Sequence, residues 1–204
     1  AFSKNRLNYD EAISFLAATC NQGAYQAADF SLEAKSVNYW QQFVGPVKTP
    51  FCLYQLQIEL GETDIHPPLY FWILHIWLLL IGTHLWSGAM LNVMTGLLTS
   101  CTILSIAQRS LRSRTVAFLV FLTFAFNPSV LLMTREARQY NLLMLWTICF
   151  VYSLHIALKP DSERWLSKYG CLALLGLAGM LTHFQFILVI LGATVWIILS
   201  LKQV

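Results

Sequence analysis

The chain has 204 residues, 57% of them hydrophobic and 11% charged, with a formal charge of +3 and a mean hydropathy of +0.58. Soluble domains carry about 25% charged residues, so this composition excludes an ordinary soluble domain and points to an integral membrane protein. Residues 1–64 hold seven acids and four bases, whereas residues 65–204 hold three acids and nine bases. The basic surplus falls in short connections between apolar runs, a pattern of cytoplasmic loops and not of a nucleic-acid surface. The opening at Ala1 is polar and shows no signal peptide or first span, which reads as a fragment of a longer chain.

Residues 1–64 read as an outer loop of amphipathic, interfacial helices. Asp10-Glu11 precedes Ala12, Ile13, Phe15, Leu16 and Ala17, a short helix with acids where the helix dipole favours them. Asp29 or Ser31 is placed to cap a second helix carrying Phe30, Val37, Trp40 and Phe43, ended by Gly45-Pro46. Thr49-Pro50 opens a third, running to about Leu60 before Gly61. Tyr39, Trp40, Phe51 and Tyr54 suit the headgroup level of a bilayer. Cys20 and Cys52 could pair if this loop faces an oxidising compartment, while Cys101, Cys149 and Cys171 lie in apolar runs as small core residues.

Asp64-Ile65-His66-Pro67-Pro68-Leu69-Tyr70 starts the apolar region, the two prolines holding the backbone out of helix until the next first turn. The 44 residues Ile65–Gln108 lack any charge and break at Gly82-Thr83-His84. Crossing takes about 20 residues, so 67–81 reads as interfacial and about 85–108 as a span. Spans at about 115–134 and 139–158 follow, then 169–201, which reads as a short hairpin with Thr182-His183 at its tip or as one long tilted helix. If only these segments cross, the arginines of 109–114 share one side with Lys159–Lys168. Asp10, Asp64, His66, Glu136 and Thr182-His183 share the other. The positive-inside rule makes the arginine side cytoplasmic.

Between two uncharged runs stands Thr134-Arg135-Glu136-Ala137-Arg138-Gln139-Tyr140. Read as helix, it puts Glu136, Gln139 and Tyr140 on one face and Arg135 and Arg138 on the neighbouring one, offering a carboxylate and two guanidiniums to one site. A polar turn anchoring a helix end is the alternative use of the same residues.

The order of these motifs resembles the GT-C glycosyltransferases of the protein-mannosyltransferase and aminoarabinose-transferase type. It runs from Tyr9-Asp10-Glu11-Ala12 through Asp64-x-His66-Pro67-Pro68-Leu69-Tyr70-Phe71 and Arg135-Glu136-Ala137-Arg138-x-Tyr140 to Thr182-His183-Phe184. The resemblance covers nearly the whole chain, as the N-terminal half of such an enzyme. It implies an all-α, polytopic bundle that moves a sugar from a polyprenyl-phosphate donor to a lipid, glycan or protein acceptor hydroxyl, with inversion, on the extracytoplasmic side of what reads as a bacterial inner membrane. Many members carry an Arg seven residues before a Gly like Gly96; here that position is Ala89.

Such a transfer needs a base, cations for the departing phosphate and in-line positioning. Asp10 is the expected base, with Glu11 as its neighbour or a metal ligand. His66, Arg135, Arg138 and Tyr140 are expected at the donor phosphate, the guanidiniums for their two-donor fork. Asp64, Glu136 and His183 support them. A divalent cation, if used, would sit on Asp10, Glu136 and His66. No P-loop, GxGxxG or zinc-finger spacing occurs, so neither a nucleotide cofactor nor a nucleic-acid partner is expected. His75, His84 and His155 read as structural or interfacial. A transporter and a non-catalytic remnant are the rival readings.

Overall fold

A computed structural model describes residues 7–28, 35–45, 47, 49–63, 66–158 and 165–201. Every regular element among them is a helix: α1 (Tyr9–Ala18), α2 (Gln22–Gln26), α3 (Val37–Val44), α4 (Leu53–Thr63), α5 (Leu69–Ile81), α6 (Ser87–Ser110), α7 (Arg114–Ala125), α8 (Pro128–Thr134), α9 (Tyr140–Ala157), α10 (Trp165–Thr182) and α11 (Phe186–Leu201). The chain divides into two compact units, residues 1–94 with 131–138, and residues 95–130 with 139–204.

The first unit is built on α1 and α5. Tyr70, Phe71, Leu74, His75 and Leu78 form one buried stripe on α5, at the spacing that keeps helical side chains on one face, and Ile76 and Leu80 point outward. That stripe packs against Phe15, Leu16, Ala17 and Ala18 of α1, and α4 adds Leu56 and Leu60 one turn apart. His75 meets the Ala18 carbonyl at 2.7 Å through Nδ1, and the Trp72 indole donates to the Leu53 carbonyl at 3.1 Å. Both ring nitrogens named here are thereby satisfied. Cys20 and Cys52 form a disulfide across 32 positions, joining the end of α1 to the start of α4.

One expectation for this region lies outside the described residues and another needs correction. Asp29 and Ser31 lie outside the described residues, and α3 is capped by Ser36, whose Oγ accepts from Tyr39 N at 3.3 Å. The third loop helix starts at Leu53 and runs through Gly61 to Thr63. Beyond it, α5 has 13 residues, roughly 20 Å of helix and short of the ~30 Å hydrocarbon. Gly82 ends it at φ +90°, a conformation that glycine adopts without a Cβ penalty. Ser87 Oγ then bridges the turn, donating to the Gly82 carbonyl at 2.7 Å and accepting from His84 N at 3.1 Å.

In the second unit α9, α10 and α11 pack on one another. The run Tyr169–Leu201 is two helices, broken at His183–Gln185, and not one long helix. Leu174, Leu177, Leu188 and Leu191 are exposed on α10 and α11, as lipid-facing side chains would be. The hydroxyls of Thr99, Ser100, Thr102 and Ser105 on α6 each donate to the carbonyl four residues back, which lets polar side chains sit in an apolar helix. Helices α6 and α9 are long and apolar enough to cross a membrane, and α7 with α8 would make a third, bent span. The segment 115–134 is therefore not the single straight helix its composition suggests. Pro128 starts α8 after Asn127, whose Oδ1 accepts from Ser129 N at 2.9 Å, and the two helices meet at 53°. The chain is an all-α integral membrane protein.

Candidate functional site

The charged stretch after α8 is a turn and not a helix: α8 stops at Thr134 and α9 starts at Tyr140. Its backbone is held by side chains from distant parts of the first unit. Ala137 N donates to Glu11 Oε1 at 2.9 Å. The amide Nδ2 of Asn92, on α6, donates to the carbonyl of Arg138 at 2.8 Å and to that of Glu136. Tyr70 Oη reaches Asn92 Oδ1 at 3.4 Å. With its N–H and C=O groups claimed this way, the segment has no use for helical bonding. Glu136, Gln139 and Tyr140 consequently do not share one helical face.

Gly88 lets the turn come this close to α6. A Cβ there would run into the Ala137 side chain and lie 3.1 Å from a Phe15 ring carbon.

The expected roles sort themselves on this geometry. Glu11 is 1% exposed, and its second oxygen accepts from Asn8 N at 2.9 Å, capping α1. Both oxygens accept from backbone N–H groups, so Glu11 ties the start of α1 to the turn. Asp10 beside it is exposed, and its carboxylate makes no hydrogen bond to a described residue. Its backbone carbonyl accepts from Arg138 Nη1 at 3.4 Å. Arg138 is 8% exposed, yet its Nε has no partner among the described residues. A buried guanidinium whose Nε is unpartnered among the described residues, and whose Nη1 lies on the backbone carbonyl of an exposed aspartate, is the chemically distinctive feature of this unit.

Tyr70 is fully buried below this pair. Burial pushes its hydroxyl far above the usual tyrosine range, and the nearby Arg138 charge offsets only part of the shift. The phenol is thus a neutral hydrogen-bond donor. Ala89, where many GT-C members carry an Arg, is 1% exposed and leaves Arg138 as the buried cation of this unit among the described residues.

Arg135 is exposed, Glu136 half-buried, and His66 half-buried with its ring edge-on to Phe71 at 6.2 Å. Asp64 lies outside the described residues. Asp10, Glu136 and His66 are not assembled as a metal set. The only trio of His, Cys, Asp or Glu among the described residues with ligand atoms within 4.8 Å of one another is Cys20, Cys52 and His75, and its two cysteines are joined as the disulfide.

In the second unit Tyr140 and His183 come together, rings 6.0 Å apart, and His183 Nδ1 accepts from Gln185 N at 3.1 Å. Gln139 is fully buried there with neither amide atom partnered among the described residues.

Asn92 and Gly88 are the residues that sequence reasoning passed over, and Tyr70 was quoted only within a motif, without a role. For Asn92 a signal existed, because an amide inside a long uncharged run is costly unless it has a task.

Residues 65–204 match the protein-family model described as dolichyl-phosphate-mannose-protein mannosyltransferase. No curated protein and no solved structure matches the chain. The matched segment takes in His66, Arg135–Tyr140 and Thr182-His183, and leaves Tyr9–Ala12 outside it.

Proposed function

The chain belongs to the dolichyl-phosphate-mannose-protein mannosyltransferase family of GT-C membrane glycosyltransferases, and on that premise we propose that its first unit carries the base and the phosphate-binding cation of an inverting transfer from a polyprenyl-phosphate sugar. The observation that carries the proposal is the placement of buried Arg138, its Nε without a partner among the described residues, against the backbone of Asp10, whose carboxylate is exposed.

In this mechanism Asp10 takes the proton of an acceptor hydroxyl as that oxygen attacks the anomeric carbon. The bond from the anomeric carbon to the phosphate oxygen breaks on the opposite face, and the electron pair leaves with the phosphate. Arg138 receives the growing negative charge from a low-dielectric position, where a fixed donor is worth more than in water. Asn92 and Glu11 hold the turn so that the guanidinium needs no reorganisation during the reaction. His66 and the exposed Arg135 are assigned to the outer part of the donor phosphate. Sidedness follows from charge: Arg109, Arg112 and Arg114 mark the cytoplasmic side, and Asp10 and Arg138 face outward. The acceptor is a hydroxyl of a lipid, glycan or protein. A transporter reading gives way to the family match.

The test is Asp10→Asn, assayed with a polyprenyl-phosphate sugar. Turnover is expected to fall about 10²–10⁴-fold, the contribution of a general base, with donor binding kept. Wild-type turnover would remove Asp10 from the chemistry.

A further inference from the structure

The second unit contains a cavity of about 820 Å³ remote in sequence from Asp10 and Arg138, lined by Ile106, Arg109, Val151, Tyr152, His155 and Trp196 among others. Three helices contribute, α6 and α11 near their C-terminal ends and α9 from Thr147 to its last turn. Arg109 lies in the last turn of α6, His155 in the last turn of α9, and Trp196 five positions before the end of α11. Helix ends with an Arg, a Tyr and a Trp mark the headgroup level of a bilayer. The apolar residues on α6 and α9 mark the start of the hydrocarbon.

We propose that this cavity binds an anionic phospholipid, its phosphate at Arg109 and His155 and its first methylenes against Ile106 and Val151. The volume lies within the range of roughly 300–1,000 Å³ usual for small-ligand sites. Charge favours an anion. Arg109 is exposed and makes no hydrogen bond or ion pair with a described residue, and Arg112 and Arg114 follow within five positions. Three full positive charges outweigh the partial negative charges, each about half a unit, of the helix ends that meet there. The His155 ring lies nearly parallel to Trp196, centroids 6.5 Å apart and planes at 12°, and both rings line the cavity. An apolar floor with a basic rim fits a lipid, whereas a soluble phosphate would leave the floor uncovered.

The experiment is native mass spectrometry of the purified chain released from nanodiscs of mixed phosphatidylglycerol and phosphatidylcholine with identical acyl chains. Retention of phosphatidylglycerol is expected to exceed that of phosphatidylcholine about tenfold or more, the equivalent of one charge-assisted hydrogen bond. Arg109→Gln should abolish the preference. Arg112→Gln, the same charge change outside the lining, should keep most of it. Arg109 is exposed, so circular dichroism of the variant should be unchanged. Millimolar glycerol phosphate should not displace the lipid. The proposal is overturned by equal retention of the two lipids, by equal losses in the two variants, by displacement with glycerol phosphate, or by a dimer of the chain that carries no lipid.

Discussion

Glu11→Gln separates the tie described above from a chemical role for this acid. The substitution keeps volume and one carbonyl oxygen, but an NH2 group replaces the second acceptor. One of the two N–H donors, from Asn8 or from Ala137, then faces another donor inside a site where Glu11 is 1% exposed. An orphaned buried donor costs about 1–3 kcal/mol, and a bond to an ionised acceptor sits at the upper end, so the loss is about 1.5–3 kcal/mol. A chain of this size shifts about 2–4 °C in Tm per kcal/mol, giving a drop of roughly 3–12 °C. Thermal unfolding in detergent, followed by tryptophan fluorescence, reads it directly. Donor affinity should fall alongside, because the turn that presents Arg138 loses its hold. Glu11→Ala should be worse, since both donors are then orphaned. A Glu11→Gln protein with wild-type Tm and donor binding but no turnover would show that Glu11 acts on the reacting atoms, contrary to the geometry.

Two further outcomes follow from the same unit. Gly88→Ala should lower stability by about 1–3 kcal/mol, the usual range for overpacking, because the new methyl meets Ala137 and Phe15; thermal unfolding checks it, and an unchanged Tm would mean that the turn does not lie on α6. Cys52→Ser should lower stability by about 3–4 kcal/mol on the chain-entropy account of a loop of 32 residues, and a reducing agent should destabilise the wild type to a similar degree while leaving the variant unaffected.

How much of this could be read from the chain depends on whether the interaction was local. The helical class, the break at Thr182-His183 and the short α5 follow from hydrophobic run lengths and punctuation, which are local properties. The acids at the start of α1 were also legible, as Asp10-Glu11 stands just before the apolar run. The fate of residues 135–139 was not. Periodicity assumes that each N–H finds the carbonyl four residues back. Here Ala137 N finds a carboxylate 126 positions away, and the Arg138 carbonyl an amide 46 positions away. No window along the sequence contains either partner. Motif order named Asp10 and Arg138, but that Arg138 lies on the Asp10 backbone while Glu11 takes the Ala137 N–H needed coordinates. The bend between α7 and α8 is the opposite case: Asn127-Pro128 announced it, and counting apolar residues alone hid it.

The account rests most heavily on Arg138 as the donor-phosphate ligand, and donor affinity of Arg138→Lys against Arg135→Lys tests it most directly. Lysine keeps the charge but has no Nε–H to complete a two-point contact, so Arg138→Lys should weaken binding of a polyprenyl-phosphate sugar in nanodiscs by about 1–3 kcal/mol. Arg135 is exposed, where a lysine can reach the headgroups equally well, so Arg135→Lys should lose much less. Near-wild-type affinity in both variants would contradict the account and leave the turn as a membrane anchor.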